Sequence, residues 1–236
     1  MNLKDIKKHA SSRDAEQGNK GIKYFIYENL STWLVNILVH TPITANQITI
    51  LGILFPFGSM LLFAYGNMWM GLLGVLFLYL GELMDACDGT LARTKKQCSK
   101  LQSNFLGNLY HSLSYPFLFI GIGVGVYMNT GNAKYLIVGG LAGMFQMTVA
   151  FTRFLSSSVL LKNGHGFDSE EKQIMKQSIV KKLFEAPMKH LRLIILFCVL
   201  LGLMKHFIIF YLAFNYIKMM AYISTIYLSF KNMENN

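Results

Sequence analysis

Six apolar stretches dominate this chain, each close to the roughly 20 residues that a helix needs to cross about 30 Å of hydrocarbon. They run over residues 44–65, 68–91, 104–128, 133–154, 186–204 and 206–230, with short polar breaks between them. In hydrocarbon a backbone polar group finds no water, so an apolar segment of this length must satisfy its own peptide groups, and a helix does so. With 53% hydrophobic residues, 14% charged residues, 18 Phe and 14 Met, the chain reads as an all-α integral membrane protein of six transmembrane helices. The opening MNLKDIKKHASSRDAEQGNK is charged but has no apolar run behind it, so no cleavable signal is expected.

The 22 Lys and Arg are distributed unevenly among the breaks. Six precede the first stretch, four lie between the second and third, and eight fall between Arg153 and Arg192, whereas the other side carries only Lys134 and Lys205. Basic residues collect on the cytoplasmic side, so both termini and the end of the second stretch are expected there. A net charge of +10 suits lipid headgroups and phosphorylated substrates rather than nucleic acid. Ahead of the first stretch, Ile22, Phe25, Ile26, Leu30, Trp33, Leu34, Ile37 and Leu38 follow helical spacing between polar residues. This predicts an interfacial amphipathic helix, hence a division into residues 1–40, tail and interfacial helix, and 41–236, the membrane domain. Residues 168–184 open on a capping-box-like D-S-E-E and predict a second amphipathic helix. Cys87, Cys98 and Cys198 lack C-x-x-C spacing and fit a reduced setting, with Cys87 read as a small buried residue. The glycines of G-I-G-V-G at 121–125 follow no strand and are read as close helix packing.

Chemistry concentrates in D-A-C-D-G-T-L-A-R over residues 85–93. An acid left in mid-bilayer costs roughly 2.5–3.5 kcal/mol on insertion scales, yet Glu82, Asp85 and Asp88 stand close together at the end of an apolar stretch. At about 100° per residue, Asp88 lies near −60° from Asp85, Gly89 near +40°, Ala92 near −20° and Glu82 near +60°. Carboxylates supply oxygens for a hard cation such as Mg²⁺, and the small Gly89 and Ala92 let a phosphate approach the backbone. Arg93, Lys95 and Lys96 follow at once, so a cation-bridged pyrophosphate with basic neighbours fits this end of the helix.

At these residues the sequence resembles the CDP-alcohol phosphotransferases, whose signature is D-x-x-D-G-x-x-A-R followed by G-x-x-x-D-x-x-x-D. The first half is present in full as Asp85, Asp88, Gly89, Ala92 and Arg93. T-P-I-T-A-N-Q-I-T over residues 41–49 is similar to the family's approach to the first span, where the resemblance implies that Asn46 and Thr49 lie near the nucleotide. The second half departs from the pattern. Keeping the four-residue spacing places Ser103 at the Gly, Gly107 at the third Asp and His111 at the fourth; a rival register places Gln102, Leu106 and Tyr110 there. The resemblance implies Mg²⁺ or Mn²⁺ held by Asp85 and Asp88, with Glu82 or the substrate replacing a lost ligand. It also implies His111 as the base for the acceptor hydroxyl, a CDP-linked donor such as CDP-diacylglycerol, release of CMP, and a homodimer as one assembly open to the chain. Arg153, at the end of the fourth stretch, is read as a planar donor fork for an acceptor phosphate.

Two readings of the lost acids stay open: an enzyme whose histidine replaces an acid, or a catalytically silent relative with a structural or regulatory role. An intramembrane prenyltransferase would need a second acidic motif, but no acid follows Asp88 before Asp168. A transporter would need a polar pathway, for which Lys218 in the last stretch is the one hint.

Overall fold

The computed structural model describes residues 22–96, 100–162, 188 and 190–234. Every regular element among them is an α-helix: α1 (Ile22–Leu38), α2 (Ala45–Ala64), α3 (Met68–Lys95), α4 (Lys100–Thr130), α5 (Lys134–Lys162), α6 (Leu191–Leu200) and α7 (Met204–Glu234). Five segments are long and apolar enough to cross a membrane: Ala45–Ala64, Met68–Lys95, Phe105–Thr130, Lys134–Thr152 and Met204–Leu228. They match five of the six expected stretches. Within the remaining one, residues 186–204, the described helix is the shorter Leu191–Leu200. The chain is an all-α integral membrane protein. The expected amphipathic helix over 168–184 lies outside the described residues.

Two compact units divide the chain, one formed by Met1–Gly58 with Leu76–His111, the other by Ser59–Val75 with Ser112–Asn236. In the first, Val35 of α1, Ile48 of α2 and Cys87 and Leu91 of α3 make a closed cluster, with Leu34, Leu38, Ile43, Leu83 and Met84 against it. Cys87 is thus the small buried residue expected. On α1, the buried side carries Ser31, Thr32 and Val35, while Leu30, Trp33 and Ile37 are exposed. At helical spacing these three form one outward apolar strip, the face that an interfacial helix turns to lipid.

The α1–α2 connection is built from turn chemistry. Pro42 interrupts the chain after α1, and T-x-x-Q closes a capping box: Thr44 N–H donates to Gln47 Oε1 at 2.9 Å and Gln47 N–H to Thr44 Oγ1 at 3.3 Å. Two donors at the N-terminus of α2 that have no partner within the helix are thereby satisfied.

In the second unit, glycines set the spacing between helices. A Cβ on Gly121 would come 2.5 Å from the carbonyl oxygen of Met60, and one on Gly125 would overlap that of Phe63, so both face α2. A Cβ on Gly123 would reach 2.8 Å from the Cα of Gly139, so this glycine faces α5. The 121–125 run therefore serves two neighbours in alternation, the close-packing use read from the sequence. Gly66, at φ 74°, turns the chain from α2 into α3, and Asn129 Nδ2 donates to its carbonyl. Facing side chains on α5 and α7 pair in two steps: Asn215 Nδ2 donates to Ala142 O at 3.1 Å and Lys218 Nζ to Gln146 Oε1 at 3.1 Å. Lys218, given no role from the sequence, is a buried cation with an amide oxygen against it.

Candidate active site

The last three turns of α3 and the first two of α2 meet within the first unit. Thr49 Oγ1 donates to Asp88 Oδ2 at 2.5 Å and also approaches Ala45 O at 3.2 Å. Thr49 is buried, at 6% exposure, whereas Asp85, Asp88 and Gly89 are half-buried. The carboxylates are thus neither sealed in the core nor left in bulk solvent, and one is oriented by a buried hydroxyl. Ala92, one turn beyond Asp88, is buried at 7%. Asn46 is half-buried in the first turn of α2, one turn before Thr49.

The basic residues after the acids are engaged differently from the sequence expectation. Lys95 Nζ lies 2.6 Å from Thr41 O and 2.8 Å from Ile43 O, so its ammonium binds the α1–α2 loop. Arg93 Nη2 approaches Thr90 Oγ1 at 3.4 Å. Lys96 is exposed and ends the helix at φ 52°. Neither the Lys95 contact nor the Thr44–Gln47 box was read from the sequence. The T-x-x-Q spacing could have shown the box, but no local pattern announces which carbonyls a lysine will reach.

The oxygen donors suit a hard cation in one specific way. No group of three or more His, Cys, Asp or Glu side chains is placed to hold a metal ion among the described residues. Glu82, read as a third ligand, has its Oε2 buried and does not form such a group with Asp85 and Asp88. What the described side chains offer is the pair Asp85 and Asp88, with Thr49 as a supporting donor. Mg²⁺ sites are commonly built so, from one or two carboxylates completed by substrate phosphates and water, and the residues present fit that pattern.

The departed motif half lies on α4 in either register. Tyr110 is buried at 5%, and its ring and hydroxyl lie against α2 and α3: Cβ atoms on Gly52 and Gly81 would come 4.0 Å from its Cε2 and 3.0 Å from its Oη. Such a wedged aromatic packs between helices of the first unit. A Cβ at Gly107 would meet nothing within 4 Å, so this position borders open space. His111 follows one turn later on α4, and Arg153 lies near the C-terminal end of α5; their side chains lie outside the described set.

The profile of the CDP-alcohol phosphatidyltransferase family matches residues 42–215, which takes in the capping box, the Thr49–Asp88 contact and the six described helices α2 to α7 in whole or part. No individual curated protein matches the chain. With the family signature intact on α3 and its profile spanning most of the sequence, the chain belongs to the CDP-alcohol phosphatidyltransferase family, transferases of phospholipid synthesis.

Proposed function

We propose that the protein transfers a phospho-alcohol group from a CDP-linked donor, such as CDP-diacylglycerol, to an acceptor hydroxyl, with release of CMP. The observation that carries this reading is the half-buried pair Asp85 and Asp88, with the Thr49 hydroxyl 2.5 Å from Asp88. The family is generally divalent-metal dependent, and Asp85 and Asp88 are the residues proposed to hold Mg²⁺ or Mn²⁺. Such a cation, when bound, would neutralise the donor pyrophosphate and the charge on the departing CMP.

The chain's own residues divide the remaining work. Gly89 and Ala92 leave room for the diphosphate against α3, and Arg93 offers it a planar set of donors. Asn46 and Thr49 border the same end of α3, with Thr49 holding the Asp88 carboxylate in one orientation. His111, on α4, is proposed as the base that accepts the acceptor's hydroxyl proton. The acceptor oxygen then bonds to the alcohol-bearing phosphorus, the anhydride bond to the CMP oxygen breaks, and CMP leaves. Arg153 is proposed to bind an acceptor phosphate. The uneven distribution of Lys and Arg supports a proposed orientation with both termini and the acids on the cytoplasmic side, and a proposed division into residues 1–40, tail and interfacial helix, and 41–236, the membrane domain.

Acceptor-dependent CMP release by the purified protein with Mg²⁺ or Mn²⁺ tests the reading. It is expected in the wild type and absent in Asp88→Asn and His111→Ala. A second reading, a silent relative, rests on the sequence: in either register of the second motif half, with Gly107 or Leu106 at the third position, no acid stands there. No CMP from any donor and acceptor, together with no metal uptake, would select it.

A further inference from the structure

The Lys95 ammonium has three donors, and two of them are committed to carbonyl oxygens of a loop, Thr41 O at 2.6 Å and Ile43 O at 2.8 Å. These carbonyls flank Pro42, which has no N–H of its own to organise the turn. Hydrogen bonds from a charged donor are roughly twice as strong as neutral ones, so this is the firmest tie the connection makes to α3. The loop leads directly into the capped N-terminus of α2 and from there to Thr49.

Register connects the two contacts. Lys95 follows Asp88 by seven residues, which on a helix brings it back to nearly the same face about 10.5 Å further along. The start of α2 is therefore joined to a single stripe of α3 at two heights, by Thr49 on Asp88 and by Lys95 on the Thr41 and Ile43 carbonyls. Ala92 lies on the stripe between them and is buried. Releasing the upper tie frees the loop carbonyls and leaves the height of the first turns of α2 to the packing of Ile48 against Cys87 and Leu91, which does not by itself aim the Thr49 hydroxyl at the carboxylate.

We propose that Lys95 is a positioning residue for Asp88, acting through the loop and Thr49 and not as a ligand of the substrate phosphates. The inference rests on the proposed role of Asp88 in holding the cation. Groups that orient a metal-binding carboxylate typically contribute about 10- to 100-fold in metal affinity. Lys95, although touching neither metal nor substrate, is expected to do the same.

A double-mutant cycle of Lys95→Met and Thr49→Val, read as Mn²⁺ affinity of the purified protein, tests this. Each single variant is expected to bind Mn²⁺ about tenfold more weakly, and the double variant no more weakly than either, because both act through one hydrogen bond. At saturating Mn²⁺ the donor KM of Lys95→Met should equal that of the wild type. Losses that multiply in the double variant, or a donor KM that rises while Mn²⁺ affinity holds, would overturn the proposal and make Lys95 an independent phosphate ligand. Should Lys95→Met not fold, Lys95→Leu, which likewise removes every donor at this position, takes its place in the cycle. A wild type that takes up no Mn²⁺ would count against the proposed function. The link would then be decided by melting without metal: non-additive shifts in melting temperature support it, and additive shifts refute it.

Discussion

Thr49 illustrates how one hydroxyl can be worth more than its own hydrogen bond. It is buried, and its oxygen lies 2.5 Å from a half-buried carboxylate. Thr49→Ser keeps the donor and is expected to retain Mn²⁺ affinity within about twofold, whereas Thr49→Val loses about tenfold; isothermal titration with Mn²⁺ distinguishes them. Gly107 gives a prediction of opposite sign. Open space at its Cβ position means Asp can be introduced without displacing a neighbour, and Asp is no worse than Gly inside a helix. Gly107→Asp should therefore melt within a few degrees of the wild type and bind Mn²⁺ more tightly, by about tenfold if the new carboxylate joins the pair. An unchanged affinity would mean that the position does not face the cation. Asp85, Asp88, Gly89 and Ala92 were legible in the sequence because helical periodicity alone puts them on one face. Lys95 was legible only as a charge: its partners come from a loop more than 50 residues earlier, and periodicity carries no information about that distance.

Helix contacts in the second unit follow from where side chains are missing. Gly125→Ala would drive a methyl into the Phe63 carbonyl and Gly121→Ala into that of Met60, and overpacking of this kind costs about 1–3 kcal/mol. Gly140 differs, since a Cβ there meets nothing within 4 Å, and Gly140→Ala should be neutral or stabilising by up to about 1 kcal/mol through helix propensity. Melting of the three variants in detergent checks the contrast; equal losses at Gly125 and Gly140 would remove packing as the explanation. The spacing of G-I-G-V-G made close packing readable, though not that its glycines alternate between α2 and α5. The Lys218–Gln146 pair was unreadable for a related reason. Lys218 stood in the sequence as an isolated polar interruption, and only the side-by-side course of α5 and α7 makes Gln146, 72 residues earlier, its partner.

At the scale of the whole molecule, length and polarity govern. Five of the six apolar stretches were readable to within a few residues because hydrocarbon sets a minimum length for any spanning segment; the proposed orientation rests instead on the distribution of Lys and Arg. Single cysteines introduced in a cysteine-free background for Lys96, just past the end of α3, and Ala133, just before the start of α5, should react from opposite sides of the membrane, the first from the cytoplasmic side, when probed with an impermeant maleimide in oriented vesicles. Reaction of both from one side would refute the orientation. The 28 residues of α3 also measure about 42 Å at 1.5 Å per residue, some 12 Å more than a typical hydrocarbon layer. Counted from Met68, the excess begins close to Asp88; under the proposed function and orientation this would set the acids where oil gives way to headgroups, where a lipid-dissolved donor could meet a water-borne acceptor. Acyl-chain length thereby becomes a control on the protein: in a thicker bilayer the carboxylates are drawn beneath the headgroup layer, and turnover should fall as the membrane thickens, with no change in a single residue.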